Sequence, residues 1–108
     1  MSSFIKNNIL VSVIIPCYNV QDYIENCIES VLNQIYKPIE IICVDNNSND
    51  KTYSILSNFE SESKIKVYKC YDKGANYARN LGIIKSKGNW IQFLDADDIL
   101  LPEKIELQ

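Results

Sequence analysis

Asp95-Ala96-Asp97-Asp98 places three carboxylates within four residues, directly after the apolar pair Phe93-Leu94. Carboxylates this close repel one another and hold raised pKa values unless a cation neutralises them. Oxygen-only donors suit a hard divalent ion, Mg²⁺ or Mn²⁺. With that ion between them, the same carboxylates become able to clamp a diphosphate that they would otherwise repel. Asp45 adds a further acid at the end of another apolar run, IEIICVD. Among 11 basic residues Arg79 is the only arginine, so the one planar, five-donor fork in the chain stands at a single place.

Histidine is absent. That excludes a Ser-His-Asp triad, a Cys-His pair, a His-ligated zinc and a His general base. Net charge is −3, and nucleic-acid binding needs a basic stripe to displace counterions, so no nucleic-acid partner is expected. Cys17, Cys27, Cys43 and Cys70 form no C-x-x-C and lie in or beside apolar runs. They read as reduced, buried thiols of a cytoplasmic protein, or of one working at the cytosolic face of a membrane. The apolar stretch 9–15 is far shorter than the roughly 20 residues that span a bilayer.

Familiar phosphate-binding spellings are missing. Neither G-x-G-x-x-G nor G-x-x-x-x-G-K-[ST] occurs, and the segment 16–20 after the first apolar run holds no glycine. Asp45 to Asp50 opens like a calcium loop, yet Asp50 stands where the sixth-position Gly belongs and Leu56 where the bidentate Glu belongs. A nucleotidyltransferase would want a Gly-rich basic loop after the first strand. A phosphoacceptor domain would want an aspartate there, and none precedes Asp22.

The elements that must carry these residues are legible from period. LVSVIIP (10–16) and IEIICVD (39–45) are nearly unbroken apolar runs, the pattern of strands covered on both faces. Val20, Tyr23, Ile24, Cys27, Ile28, Val31, Leu32 and Ile35 follow helical spacing, with Asn19 as the expected cap. Ser48 or Asp50 is placed to cap a second helix that turns Tyr53, Leu56 and Phe59 inward. IKVYKCY (65–71) alternates and reads as an edge strand. Gly74 opens a third helix to about Lys85, WIQFLD (90–95) is a fourth strand, and Pro102 starts another helical turn. Tyr23, Cys27 and Trp90 are expected in the core.

This alternation predicts one domain over 1–108, an α/β, Rossmann-like three-layer αβα fold. Its four-stranded, mainly parallel sheet has the order 3-2-1-4, with right-handed crossovers. Ligands then bind at the carboxyl ends of the strands, where the order reverses between strands 1 and 4.

Five segments together resemble the N-terminal, nucleotide-sugar-binding part of inverting family-two glycosyltransferases of the GT-A fold. They are VSVIIPCYN (11–19), ESVLNQ (29–34), EIICVDNNSND (40–50), KGANYARNLGI (73–83) and WIQFLDADD (90–98). The resemblance implies transfer of a sugar from a nucleotide-diphosphate sugar, a UDP-sugar above all, to an acceptor hydroxyl with Mn²⁺ or Mg²⁺. By the same resemblance Pro16, Tyr18, Asn19, Asp45, Arg79 and Asp95 bind the nucleotide. Tyr18 lies against the base, Asp45 accepts from its ring N–H and Asp95 is near the ribose. Asp97 holds the metal, with Asp98 as a further carboxylate beside it.

Two departures accompany it. Many relatives carry Asp-Asp-Gly-Ser where this chain has Asp45-Asn46-Asn47-Ser48. Asn47 tolerates the left-handed backbone that Gly would supply, whereas Asn46 removes a charge. The family's general base and acceptor-binding elements follow the D-x-D in the second half, so the catalytic base is expected beyond Gln108. The glycan or lipid-linked acceptor belongs with the full-length protein, and the 108-residue chain alone is expected to be inactive. Homodimerisation through an uncovered strand 4 is expected, and a non-catalytic nucleotide-binding or assembly module of the same fold is the alternative.

Overall fold

The computed structural model describes residues 9–34, 36–99, 102 and 104–107. Four parallel strands, β1 (Val11–Cys17), β2 (Ile39–Asp45), β3 (Ile65–Lys69) and β4 (Trp90–Phe93), form one sheet in the order β3-β2-β1-β4. Between them run α1 (Ile24–Leu32), α2 (Thr52–Asn58) and α3 (Ala75–Lys85), and α4 (Lys104–Leu107) follows β4. The architecture is the expected one.

Strand alternation divides the core into two layers. Val13, Ile15 and Cys17 of β1, with Ile41 and Cys43 of β2, pack under Ile24, Cys27, Ile28 and Val31 of α1 and Leu56 of α2. Ile14, Ile42 and Val44 face the other way and pack under Ala78 of α3. A fully buried Leu or Ile side chain is worth about 1.5–3 kcal/mol, so β1, buried on both faces, anchors the sheet. Gly82 of α3 lies so close that a Cβ there would stand 2.4 Å from Ile14 Cγ2, which lets α3 press flat against β1.

Polar side chains tie the amino ends of three strands together. Buried Ser12 donates from Oγ to Glu40 Oε2 at 2.6 Å and accepts from the Gly88 N–H at 2.8 Å. The Lys87 N–H also donates to Glu40 Oε2, at 2.6 Å. β1, β2 and the segment leading into β4 are thereby held in register at the edge opposite the strand carboxyl ends.

Several local expectations change. α1 begins at Ile24 with Tyr23 as its N-cap, and no side chain caps it. Asn19, four residues earlier, adopts a left-handed backbone with φ 51°; the N–H groups of Tyr23 and Ile24 are taken instead by the Val20 carbonyl. Ile35, expected in this helix, lies outside the described residues. Tyr23 and Trp90 are about half exposed rather than core, because Tyr23 precedes the helix and Trp90 opens an edge strand; Cys27 is fully buried. β3 and β4 end two residues earlier than predicted, although the Leu94 N–H still donates to the Ile14 carbonyl at 3.0 Å.

A Cβ at position 88 would stand 2.4 Å from Ser12 Oγ and 2.8 Å from both the Leu10 carbonyl oxygen and the Ser12 nitrogen. Backbone atoms yield little, so Gly88→Ala should lower unfolding free energy by about 1–3 kcal/mol. A urea midpoint equal to wild type would contradict this.

Candidate functional site

Because all four strands run the same way, their carboxyl ends share one rim, and a crevice of about 650 Å³ opens there. Pro16, Cys17 and Tyr18 come from the end of β1, and Asn46, Asn47 and Asn49 from the loop after β2. Lys73, Gly74, Ala75 and Arg79 come from the start of α3, and Asp95 follows β4. Tyr18 is 54% exposed and offers a free aromatic face. Arg79 donates from Nη1 to Asn76 Oδ1 at 3.2 Å. That is its one hydrogen bond among the described residues, leaving most of the fork for a ligand.

Pro16, Tyr18, Arg79 and Asp95 are therefore brought together as expected. Asp97 and Asp98 stand beside them: carboxylate oxygens of Asp95, Asp97 and Asp98 lie within 4.8 Å of one another, all on exposed side chains. An octahedral ion with oxygens at about 2.1 Å can bridge such a span with small side-chain adjustment. The donor set thus fits Mg²⁺ or Mn²⁺. The acidic turn is also felt below the surface, where Cys27 Sγ donates to the Asp95 carbonyl at 3.7 Å. Burial, then the charges of Asp98, Asp97 and Asp95, push this thiol up to about 12.

Asp45 and Asn19 go elsewhere. Asp45 is 2% exposed. Alternation puts its side chain on the sheet face of Cys43, under α1 and α2, while the crevice opens toward α3. There Oδ2 accepts from the Ser48 N–H at 3.4 Å, and Oδ1 has no partner among the described residues. Asn19 stitches the loops after β1 and β2. Its N–H donates to Ser48 Oγ at 3.0 Å, and its Oδ1 accepts from the Asn49 N–H at 2.8 Å. The Val20 N–H to Thr52 Oγ1 (2.9 Å) and the Lys51 N–H to Gln21 Oε1 (2.9 Å) extend the seam. Asn47 has the left-handed φ of 59° expected of it.

The residue that sequence reasoning set aside is Asn46. It lines the crevice, which Asp45 does not.

Residues 12–108 match the family described as Glycosyl transferase family 2. The chain belongs to that family. It is 43% identical over 99 residues to the E. coli UDP-Glc:alpha-D-GlcNAc-diphosphoundecaprenol beta-1,3-glucosyltransferase WfaP, covering 92% of this chain and 39% of that protein. It is 43% identical over 101 residues to the Bacillus subtilis putative teichuronic acid biosynthesis glycosyltransferase TuaG, covering 92% and 40%. The chain spans at most about two-fifths of the curated relatives it matches.

Among solved structures, S. aureus TarS 1-349 in complex with UDP superposes with a TM-score of 0.81 at 28% identity. That match covers 89% of this chain and 30% of TarS 1-349. A mannosyltransferase from Pyrobaculum calidifontis in complex with GDP-Man and Mn²⁺ gives 0.77 at 27%, covering 90% and 30%. The fold of this family member is thus that of the GT-A glycosyltransferases.

The seam between the loops carries a pH dependence. Partial burial raises the Asp50 carboxyl, but bonds from the Thr52 hydroxyl and from the N–H groups of Thr52 and Gln21 outweigh it and hold it below its usual range. A depressed folded value contributes stability that is present above the unfolded pKa of about 3.9 and is lost as pH falls through the folded one. Thermal midpoints of Asp50→Asn should therefore fall less steeply than wild type below about pH 4. Parallel curves would remove Asp50 from the seam's energetics.

Proposed function

We propose that this chain is the donor-binding part of a metal-dependent glycosyltransferase, which passes a sugar from a nucleoside diphosphate, preferably UDP, to an acceptor hydroxyl. The observation that carries the reading is the meeting of Tyr18, Arg79 and Asp95 in one crevice beside the Asp97–Asp98 pair, in a chain of this family. Similar proteins support the donor class: TarS is known in complex with UDP-GlcNAc, and WfaP is named for UDP-Glc.

Each residue has a physical part. The ring of Tyr18 stacks on the base. Asp95 accepts from the ribose hydroxyls, and the Arg79 fork and Lys73 meet phosphate oxygens. Asp97, with Asp98, holds the cation, which when bound neutralises charge on the departing diphosphate. Asp45, buried beneath the loop after β2, supports that loop instead of touching the base. The acceptor hydroxyl attacks the anomeric carbon as the bond to the diphosphate breaks, and its proton passes to a base outside this chain's assigned residues. The four free, buried thiols support a reducing, cytosolic setting.

Calorimetric titration of UDP should give Mn²⁺-dependent binding, with Asp97→Ala weakening it at least about tenfold and removing transfer by the full-length enzyme while its circular dichroism stays unchanged. Equal affinity in EDTA would remove the cation from this reading, and undiminished transfer by the variant would favour a non-catalytic module.

The β4 edge supports a further expectation. Trp90 and Phe93 are 50% and 41% exposed on an edge whose backbone groups pair with β1 alone among the described strands. The 108-residue chain should self-associate through this edge, giving a light-scattering mass that rises with concentration. A monomer mass throughout would exclude it.

A further inference from the structure

Three polar groups of Asn46 make four hydrogen bonds at once. Its N–H donates to the Cys17 carbonyl at 2.7 Å. Its Nδ2 donates to the Asp72 carbonyl at 2.7 Å and to the Cys70 carbonyl at 3.4 Å. Its Oδ1 accepts from the Gly74 N–H at 3.1 Å. These partners also fix which way the amide faces, since two carbonyls need the NH₂ and an N–H needs the oxygen.

Those contacts reach three segments. Cys17 ends β1, Cys70 and Asp72 follow β3, and Gly74 sets the start of α3 with a φ of 121°. Asn46 itself is only 8% exposed, yet it forms the crevice floor between Cys17 and the Lys73–Ala75 wall. The geometry points to Asn46 as a positioning residue: its carboxamide latches the turn after β3 onto the end of β2 and so fixes the crevice wall that receives the nucleotide. The inference rests on the donor-site reading above.

Many relatives carry Asp at this position, but in this chain the latch is built for a carboxamide. A carboxylate accepts but does not donate. Asn46→Asp would keep the bond from Gly74 and set a negative oxygen against the Asp72 and Cys70 carbonyls. The turn would be pushed away until a proton restores one donor. Burial and two facing carbonyls raise the pKa of the introduced carboxyl, so restoration should come at mildly acidic pH. The titratable side chains on the joined segments are Asp45, Cys17, Cys70, Asp72 and Lys73; they are shared with wild type, so the variant-to-wild-type ratio isolates the introduced group.

The test measures UDP binding with Mn²⁺ at about pH 8 and about pH 5.5 on the full chain, for wild type, Asn46→Asp and Asn46→Ala. At the higher pH both variants should bind about tenfold or more weakly, since small misplacements of binding groups are costly. At the lower pH the ratio should close for the Asp variant and stay open for the Ala variant. Affinity within about twofold of wild type at the higher pH, or a ratio for Asn46→Asp that does not move with pH, would overturn the latch.

Hydrogen exchange gives a readout without nucleotide. Protection of the Gly74 amide should drop in Asn46→Ala, which removes its acceptor, while Ile42 and Val44 in β2 stay protected. If wild type binds no UDP, the donor reading fails, and Gly74 protection alone decides: retained protection overturns the latch and lost protection supports it. If Asn46→Asp does not fold, the same measurements on Asn46→Ala decide in the same way.

Discussion

Parallel pairing on both sides of β1 governs this molecule. β2 and β4 both run alongside β1 in its own direction, and that requires each connection to cross over the sheet with a helix. Two crossovers lead one way, to β2 and β3, and place α1 and α2 on one face. The third leads the other way, to β4, and places α3 on the opposite face. Between the diverging connections the carboxyl ends of β1 and β4 are left uncovered. Tyr18, Arg79 and Asp95 arrive at that gap because the strands end there.

The gap is electrostatically mixed. Lys73 and Arg79 stand on the α3 side, while the acidic turn stands after β4. An anionic ligand is attracted to the first and repelled by the second. Tyr18 adds an aromatic face for a neutral ring.

Strand order, the division into layers and most of the crevice could be read from residue order. Unbroken apolar runs mark β1 and β2, and helical period marks α1. Two kinds of information were harder to read. One is the direction of a side chain at the last residue of a strand: Asp45 and Asn46 are neighbours in sequence, yet of the two only Asn46 lines the crevice. The other is how loops far apart in sequence bond to each other. Asn19 looked like a helix cap because its type suits that task, but it bonds to Ser48 and Asn49 across 29 and 30 residues. Trp90 was read as core because its segment is apolar, and its exposure follows from edge position, which depends on what else packs on β4.

The four cysteines sit in β1, α1, β2 and just past β3, each buried and free. Burial holds the thiols of Cys17 and Cys43 well above their ordinary range, so native molecules present almost no thiolate to an alkylating reagent. Their modification must wait for the segment around each to open, which makes them a graded set of clocks for local opening. Cys70 borders the edge strand, and Cys17 and Cys43 lie at the sheet centre. Mass spectrometry of partly alkylated chains would therefore map the order in which this fold comes apart, with no label introduced and no residue changed.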